Sequence, residues 1–306
     1  LIIQTPRSAL IILGSIGILV AAAAHNLNLS SQGQLLVGLV QAGREKDVPF
    51  YASASAALAE QPLDLVVWPE VALGKGQTEW GRVASPWIPP QGVTLVAGGY
   101  SQTFTGETKN SVFAITANKV QAVYDKERLV PFYEAKLQPG RGPLRPLSVA
   151  SHRLGLLICW ESLFYSLARK RVLAGAEVLV VVANDAWAKG SVSPQLHAKA
   201  AKLLALSFAR PVVFSASTEA SSIIDTTGKS LLTLASSGSS AAEVTVPPAV
   251  LTPFARYGNV GALVLFALPL LILHFSKGTL YEKSFDTVSS FGRGFLKLVH
   301  TRASPK

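Results

Sequence analysis

Apolar residues come in short, nearly unbroken runs through the middle of the chain. Residues 34–41 (QLLVGLVQ), 65–68 (LVVW), 93–97 (VTLVA), 111–115 (SVFAI), 154–159 (LGLLIC) and 178–183 (VLVVVA) are rich in aliphatic and β-branched side chains. Runs with so little polar alternation predict strands covered on both faces. Between them, residues 49–60, 162–174 and 194–209 predict helices, and glycine and proline punctuate the joints. Strands alternating with helices point to an α/β domain. Residues 236–240 (SSGSS) read as a small-residue turn, residues 246–253 as a connector, and no internal repeat is present.

Two longer apolar runs bracket this pattern. Residues 8–24 (SALIILGSIGILVAAAA) carry no charge and follow Arg7; residues 260–275 (VGALVLFALPLLILHF) lie between Tyr257 and Lys277. Each falls just short of the roughly 20 residues of a spanning helix, a shortfall that flanking polar and aromatic residues make up. The first run also has the form of a secretory signal. A hydrophobic content of 49%, a charged content of 15% and a mean hydropathy of +0.35 agree with membrane attachment.

The net charge of +10 raises nucleic acid as a partner. Position argues for a membrane instead. Lys277, Lys283, Arg293, Lys297, Arg302 and Lys306 crowd the end of the chain, opposed only by Glu282 and Asp286. Basic residues directly after an apolar run follow the positive-inside rule and suit anionic lipid headgroups. The expected organisation is a transmembrane or signal-like segment over 1–30, a catalytic domain over 31–250, a transmembrane helix over 251–276 and a basic cytoplasmic tail over 277–306. With both ends cytoplasmic, the middle lies outside. Residues 285–299 (FDTVSSFGRGFLKLV) are a weak candidate for an amphipathic helix on the inner membrane face.

Candidate chemistry lies where strands end. The sole cysteine, Cys159, stands in LGLLICWES, where an apolar run breaks into polar sequence. A free cysteine is most often buried filler. A lone one excludes an intramolecular disulfide and a cysteine-based metal cluster. The five histidines show no ligand spacing, so no metal site is read. WPE presents Glu70, YDKERLVPFYE offers Lys126 and Glu134, and ICWES adds Glu161. Taken singly, Glu70 reads as a loop carboxylate, Lys126 as part of a surface charge cluster, and Glu134 and Glu161 as partners for arginines. Together, a carboxylate to take a thiol proton, a lysine to stabilise an oxyanion and a cysteine make a complete acyl-transfer set.

WPE, YDKxxLVPFxE, ICxE and NDAW, in that order, resemble the nitrilase superfamily and within it the bacterial apolipoprotein N-acyltransferases. RPVVFSAST (residues 210–218), IIDTTGK and TPFARYG extend the resemblance from about Leu35 to the end of the second apolar run. It implies a nitrilase-type α-β-β-α sandwich flanked by transmembrane helices. It implies Cys159 as nucleophile, Glu70 as general base and Lys126 as the essential lysine. Glu134 would support the lysine and substrate, and Glu161 matches a further glutamate of the acyltransferase branch. The implied reaction is ping-pong and needs no cofactor. Cys159 takes an acyl chain from a membrane phospholipid as a thioester and passes it to the amine of a diacylglyceryl-cysteine apolipoprotein. The implied location is the bacterial inner membrane, with the catalytic domain on its periplasmic side.

The chain departs from the family pattern at several places. Tyr133 replaces a glycine and is expected to narrow the pocket. Ala188 and Lys189 alter the loop after NDAW; Leu204 and Ser207 replace an arginine and a glutamate; and Glu219 stands in place of a turn glycine. The family also carries further membrane helices upstream, so Leu1 begins either a fragment or a shortened relative. Two other functions stay open: a membrane-tethered amidase with water as acceptor, and a repurposed conjugation-associated homologue.

Overall fold

The computed structural model describes residues 33–260 apart from 44–47, 75–77, 80–81, 84–86, 104, 141–144, 189 and 219, and it describes residues 267 and 270 as helical. In chain order the strands are β1 (Gly33–Gln41), β2 (Leu65–Val67), β3 (Thr78–Glu79), β4 (Arg82–Val83), β5 (Thr94–Gln102), β6 (Thr108–Ile115) and β7 (Val120–Asp125). The second half adds β8 (Leu147–Val149), β9 (His152–Ile158), β10 (Val178–Ala183), β11 (Val212–Ala216), β12 (Ser221–Ile224), β13 (Ser230–Leu234) and β14 (Gly238–Val246). The helices are α1 (Val48–Leu58), α2 (Tyr165–Leu173), α3 (Ser193–Phe208) and α4 (Pro253–Tyr257).

Two six-stranded sheets result, ordered β14-β1-β2-β5-β6-β7 and β13-β12-β11-β10-β9-β8. In the first, β1, β2 and β5 run parallel; in the second, β9, β10 and β11 do; the remaining neighbours pair antiparallel. The period-2 geometry of a strand explains the layering. Leu65 and Val67 face one hydrophobic cluster, with Val37, Leu39 and Val96, and meet side chains of the second sheet. Val66 and Trp68 face the other cluster, with Leu95 and Ala97, under α1. There Trp68 donates its indole N–H to Ser55 Oγ at 2.8 Å and stacks on Tyr51. α2 and α3 bury their apolar faces in the same cluster as the strands of the second sheet. Helix-sheet-sheet-helix layers are the α-β-β-α arrangement expected.

α3 illustrates how local sequence sets an element. Pro194 occupies its first turn, where a missing N–H costs nothing. Pro194, His197, Ala201, Leu204, Ala205 and Phe208 are buried at helical spacing, and Ala209, at φ 48°, ends the helix in the left-handed region. Leu204 is thus a core residue, packed where the family pattern has an arginine.

Several expectations need correction. The strand expected at 93–97 runs on to Gln102, through Gly98 and Gly99. The turn expected at 236–240 gives way at Gly238 to β14, which pairs with β1 along its whole length. The helix expected at 162–174 is a 3-10 turn, Cys159–Leu163, followed by α2. Cys159 lies just past β9. Tyr133 is 63% exposed, beside a Phe132 that is 99% exposed at φ 65°, so neither ring is packed inward.

By contact the chain divides into one unit of residues 26–256 and another of residues 1–25 with 257–306. The apolar run 8–24, most of the run 260–275, the tail 277–306 with the segment 285–299, and the positions Lys189 and Glu219 lie outside the described residues. Among the described residues no helix is long and apolar enough to cross a membrane.

Candidate active site

Glu70 sits on a turn that closes β2. Gly98 N–H donates to Pro69 O at 3.1 Å, drawing that turn against β5. A Cβ on Gly98 would stand 2.5 Å from Glu70 Cα and 2.8 Å from Val71 N, so only glycine lets the two backbones approach this closely. Lys126 follows β7, its N–H bonded to Asn110 O at 2.8 Å. Asp125 beside it accepts from Lys109 at 2.9 Å and from Ser111 at 2.7 Å, which pins the end of that strand.

The side chains meet in a buried charged cluster. Lys126 Nζ stands 3.0 Å from Glu70 Oε1 and 2.9 Å from Glu134 Oε2. Asn110 Nδ2 lies between the carboxylates and donates to both, at 2.7 Å to Glu70 and 2.8 Å to Glu134. Glu70 Oε2 accepts from Asn184 N–H at 2.8 Å, and Glu134 Oε2 from Val130 N–H at 2.7 Å. Lys126 is 1% exposed, Glu70 6% and Glu134 9%. Burial opposes charge on Lys126, but the carboxylates of Glu70 and Glu134 outweigh it and hold the ammonium above its usual range. The lysine is therefore a fixed cation, suited to an oxyanion and unsuited to taking a proton.

Cys159 turns the chain from β9 into the 3-10 turn at φ 50°, a left-handed conformation rare for a residue with a side chain. Ser162 Oγ donates to its carbonyl at 2.9 Å and closes the turn. The thiol is buried, and burial pushes its pKa well up. Glu70 and Asp185 push the same way, while Lys126 and the Asn184 N–H oppose them. These surroundings favour the neutral thiol over the thiolate.

Glu161 lies apart from the charged cluster, fully buried behind the Cys159 turn. Its carboxylate accepts from Tyr124 OH at 2.7 Å, Glu127 N–H at 2.7 Å, Arg128 N–H at 3.0 Å and Ile158 N–H at 2.9 Å. It ties the segment after Lys126 to the residue before Cys159. Burial raises its pKa, against the pull of these donors. Arg171 backs the clamp: it donates to Leu156 O and Glu127 and stacks its guanidinium 4.5 Å from the Tyr124 ring centroid.

Of the residues read from sequence, Glu70, Lys126 and Glu134 join directly, Cys159 shares their electrostatics, and Glu161 braces from behind. Asn110, Asn184, Asp185 and His197 were not read as site residues. Asn184 and Asp185 belong to the quoted NDAW, whose position after an apolar strand was the available signal. Asn110 lies within β6, and nothing in its local sequence marks it. Cys159, Asp185 and His197 lie with their ligand atoms within 4.8 Å of one another, all buried. Ala188 is buried in the loop that follows, and Ser207 accepts a bond from Thr252 through its carbonyl.

A model of the carbon-nitrogen hydrolase family matches residues 20–255. The chain belongs to that family. Among curated relatives of the chain, the apolipoprotein N-acyltransferase of Caulobacter vibrioides is 29% identical over 81% of the chain and 55% of its own length. That of Geobacter metallireducens is 33% identical over 60% of the chain and 40% of its own length. The chain thus spans about half the length of the curated relatives it matches. A solved branch 10 member of the nitrilase superfamily from Saccharomyces cerevisiae superposes with a TM-score of 0.58 at 19% identity, over 74% of the chain and 94% of that protein. A carbon-nitrogen hydrolase from Helicobacter pylori gives 0.57 at 18% identity, over 69% and 89%. These likenesses establish the nitrilase-type fold.

Proposed function

We propose that the chain is the catalytic part of a membrane-bound N-acyltransferase that carries a fatty acyl group on Cys159. The observation that carries this reading is a buried cysteine, its thiol held neutral by burial, sharing one electrostatic site with the Glu70 carboxylate and a lysine that keeps its proton. Glu70 removes the thiol proton as sulfur attacks the ester carbonyl of a phospholipid. Lys126 stabilises the oxyanion, with Glu134 holding the ammonium in place. Collapse breaks the C–O bond, Glu70 returns the proton to the departing alkoxide, and a lysophospholipid leaves a thioester behind. The amine of a diacylglyceryl-cysteine apolipoprotein then attacks the thioester. Glu70 accepts the amine proton, the amide forms and the thiol is regenerated.

Relatives named apolipoprotein N-acyltransferase support this acceptor, and the apolar runs that bracket the domain support lipid substrates at a bacterial inner membrane, with the domain on the periplasmic side. Two substrates that do not readily leave a bilayer give a reason for anchoring. The organisation follows from this: residues 31–250 as the catalytic domain between membrane segments, with a basic tail inside.

The test supplies phospholipid labelled in its acyl chain, then a synthetic diacylated lipopeptide. Transfer of label to the lipopeptide amine by the wild type, and none by Cys159→Ala, is the expected result. Label released as free fatty acid identifies water as the acceptor and a hydrolase. No turnover of label in either form identifies a repurposed, inactive relative.

A further inference from the structure

The acyl-transfer scheme leaves two buried polar side chains beside Cys159 without a task. Asp185, just after β10, and His197, on the inner face of α3, are both fully buried. His197 Nδ1 lies 2.8 Å from Asp185 Oδ1. Yet among the described residues both carboxylate oxygens and both ring nitrogens lack a hydrogen-bond partner of good geometry. Buried polar atoms are almost always satisfied, so Asp185 Oδ2 and His197 Nε2, which have not even that close contact, point to a missing ligand. The third member of the cluster is Cys159, its sulfur within 4.8 Å of the other two donors.

We propose that Cys159 Sγ, one Asp185 oxygen and one His197 ring nitrogen form a three-ligand site for a zinc-class divalent cation. Thiolate, imidazole and carboxylate are the donors zinc takes, and three protein ligands leave a fourth position open. Bonds of about 2.0–2.3 Å put tetrahedral ligand atoms roughly 3.3–3.7 Å apart. The cluster reaches that spacing by side-chain adjustment of about an ångström. The three ligands come from the end of β9, the loop after β10 and α3, so only the folded domain assembles them. Binding exchanges the thiol proton for a sulfur–metal bond, and the proton leaves to solvent. The cation takes the sulfur away from acyl chemistry and gives it back when chelated, which makes it a reversible inhibitor of the cysteine. The site itself does not depend on the acyltransferase reading.

As the only cysteine of these residues, Cys159 makes the readout specific. The 306-residue chain, reduced and freed of chelators, is titrated with Co²⁺, then with Zn²⁺ in competition. One equivalent of Co²⁺ with a sulfur-to-cobalt charge-transfer band, displaced by Zn²⁺, is expected. Cys159→Ser is expected to abolish the band. Even a group behind a ligand is worth about 10–100-fold in metal affinity, so His197→Gln and Asp185→Asn are each expected to weaken binding at least about tenfold. Zn²⁺ is also expected to slow alkylation of Cys159 at least about tenfold, reversed by chelator. These readings need no substrate, so they separate from any failure of acyl transfer. A folded wild-type protein that gives no charge-transfer band overturns the proposal. So does affinity that stays unchanged in folded His197→Gln or Asp185→Asn. If one variant does not fold, the wild-type band and the other variant decide.

Discussion

Replacing Glu70 with glutamine separates its two effects on Cys159, because they have opposite signs. The negative charge of Glu70 disfavours the thiolate, second only to burial itself. Removing that charge raises the thiolate fraction at any given pH. The same change removes the group proposed to take the thiol proton and hand it to the leaving alkoxide, a role worth about 10²–10⁴ in rate. Glutamine is nearly isosteric, and its oxygen retains the bonds from Lys126 and Asn110. Its NH₂ then faces Asn184 N–H, which now bonds to Glu70 Oε2. One buried donor is orphaned, costing about 1–3 kcal/mol of stability. The expected result is therefore a split: iodoacetamide alkylates Cys159 faster in Glu70→Gln, while acyl transfer from phospholipid falls by about 10²–10⁴. In the wild type, alkylation keeps rising with pH beyond the ordinary thiol pKa of about 8.5, because burial holds the thiol above that range. Unchanged acyl transfer, or alkylation that slows along with it, refutes the assignment of Glu70 as base.

Substitutions at three further positions test the surroundings. Glu161→Gln orphans the Ile158 N–H in its better orientation and two backbone N–H groups in its worse, so a loss of about 1–3 kcal/mol by urea denaturation is expected. A change within about 0.5 kcal/mol, the range of ordinary surface substitutions, shows that Glu161 is no clamp. Gly98→Ala drives a methyl group into the Glu70 backbone, and acyl transfer is expected to fall at least about 100-fold, the usual penalty for misplacing a catalytic group by an ångström; full activity contradicts the close-approach argument. Asn110→Asp puts a third carboxylate between Glu70 and Glu134 where an amide now donates to both. It is expected to damage activity more than Asn110→Ala, since alanine removes two bonds without adding like-charge repulsion; the opposite ranking in a rate assay overturns that role.

The core strands and the polar residues at their ends were legible because both follow short-range rules. Continuous apolar runs gave β2, β9 and β10, and the residues that leave those strands are Pro69 with Glu70, Cys159, and Asn184 with Asp185. β7 and β14 were missed. VQAVYD and GSSAAEVTV carry little apolar signal and owe their strand form to their sheet neighbours β6 and β1. Gly98 and Gly99 looked like punctuation yet lie inside β5, where Gly98 makes room for the Glu70 turn. Glu161 was read as a supporting residue from its match to a further glutamate of the resembled family; that a 3-10 turn points it at backbone donors behind Cys159 was not legible. Asn110 and His197 come from segments far from the motifs. Tertiary packing alone brings them in.

The central claim is that Cys159 carries an acyl group, and trapping that intermediate tests it most directly. The protein is incubated with a phospholipid of defined acyl chains and no acceptor, quenched in acid, digested and measured by mass spectrometry. The expected result is one acyl mass added to the peptide bearing Cys159, removed by neutral hydroxylamine as a thioester is, and absent in Cys159→Ser handled the same way. A peptide that stays unmodified while lysophospholipid accumulates contradicts the claim, as does an acyl mass on any other residue.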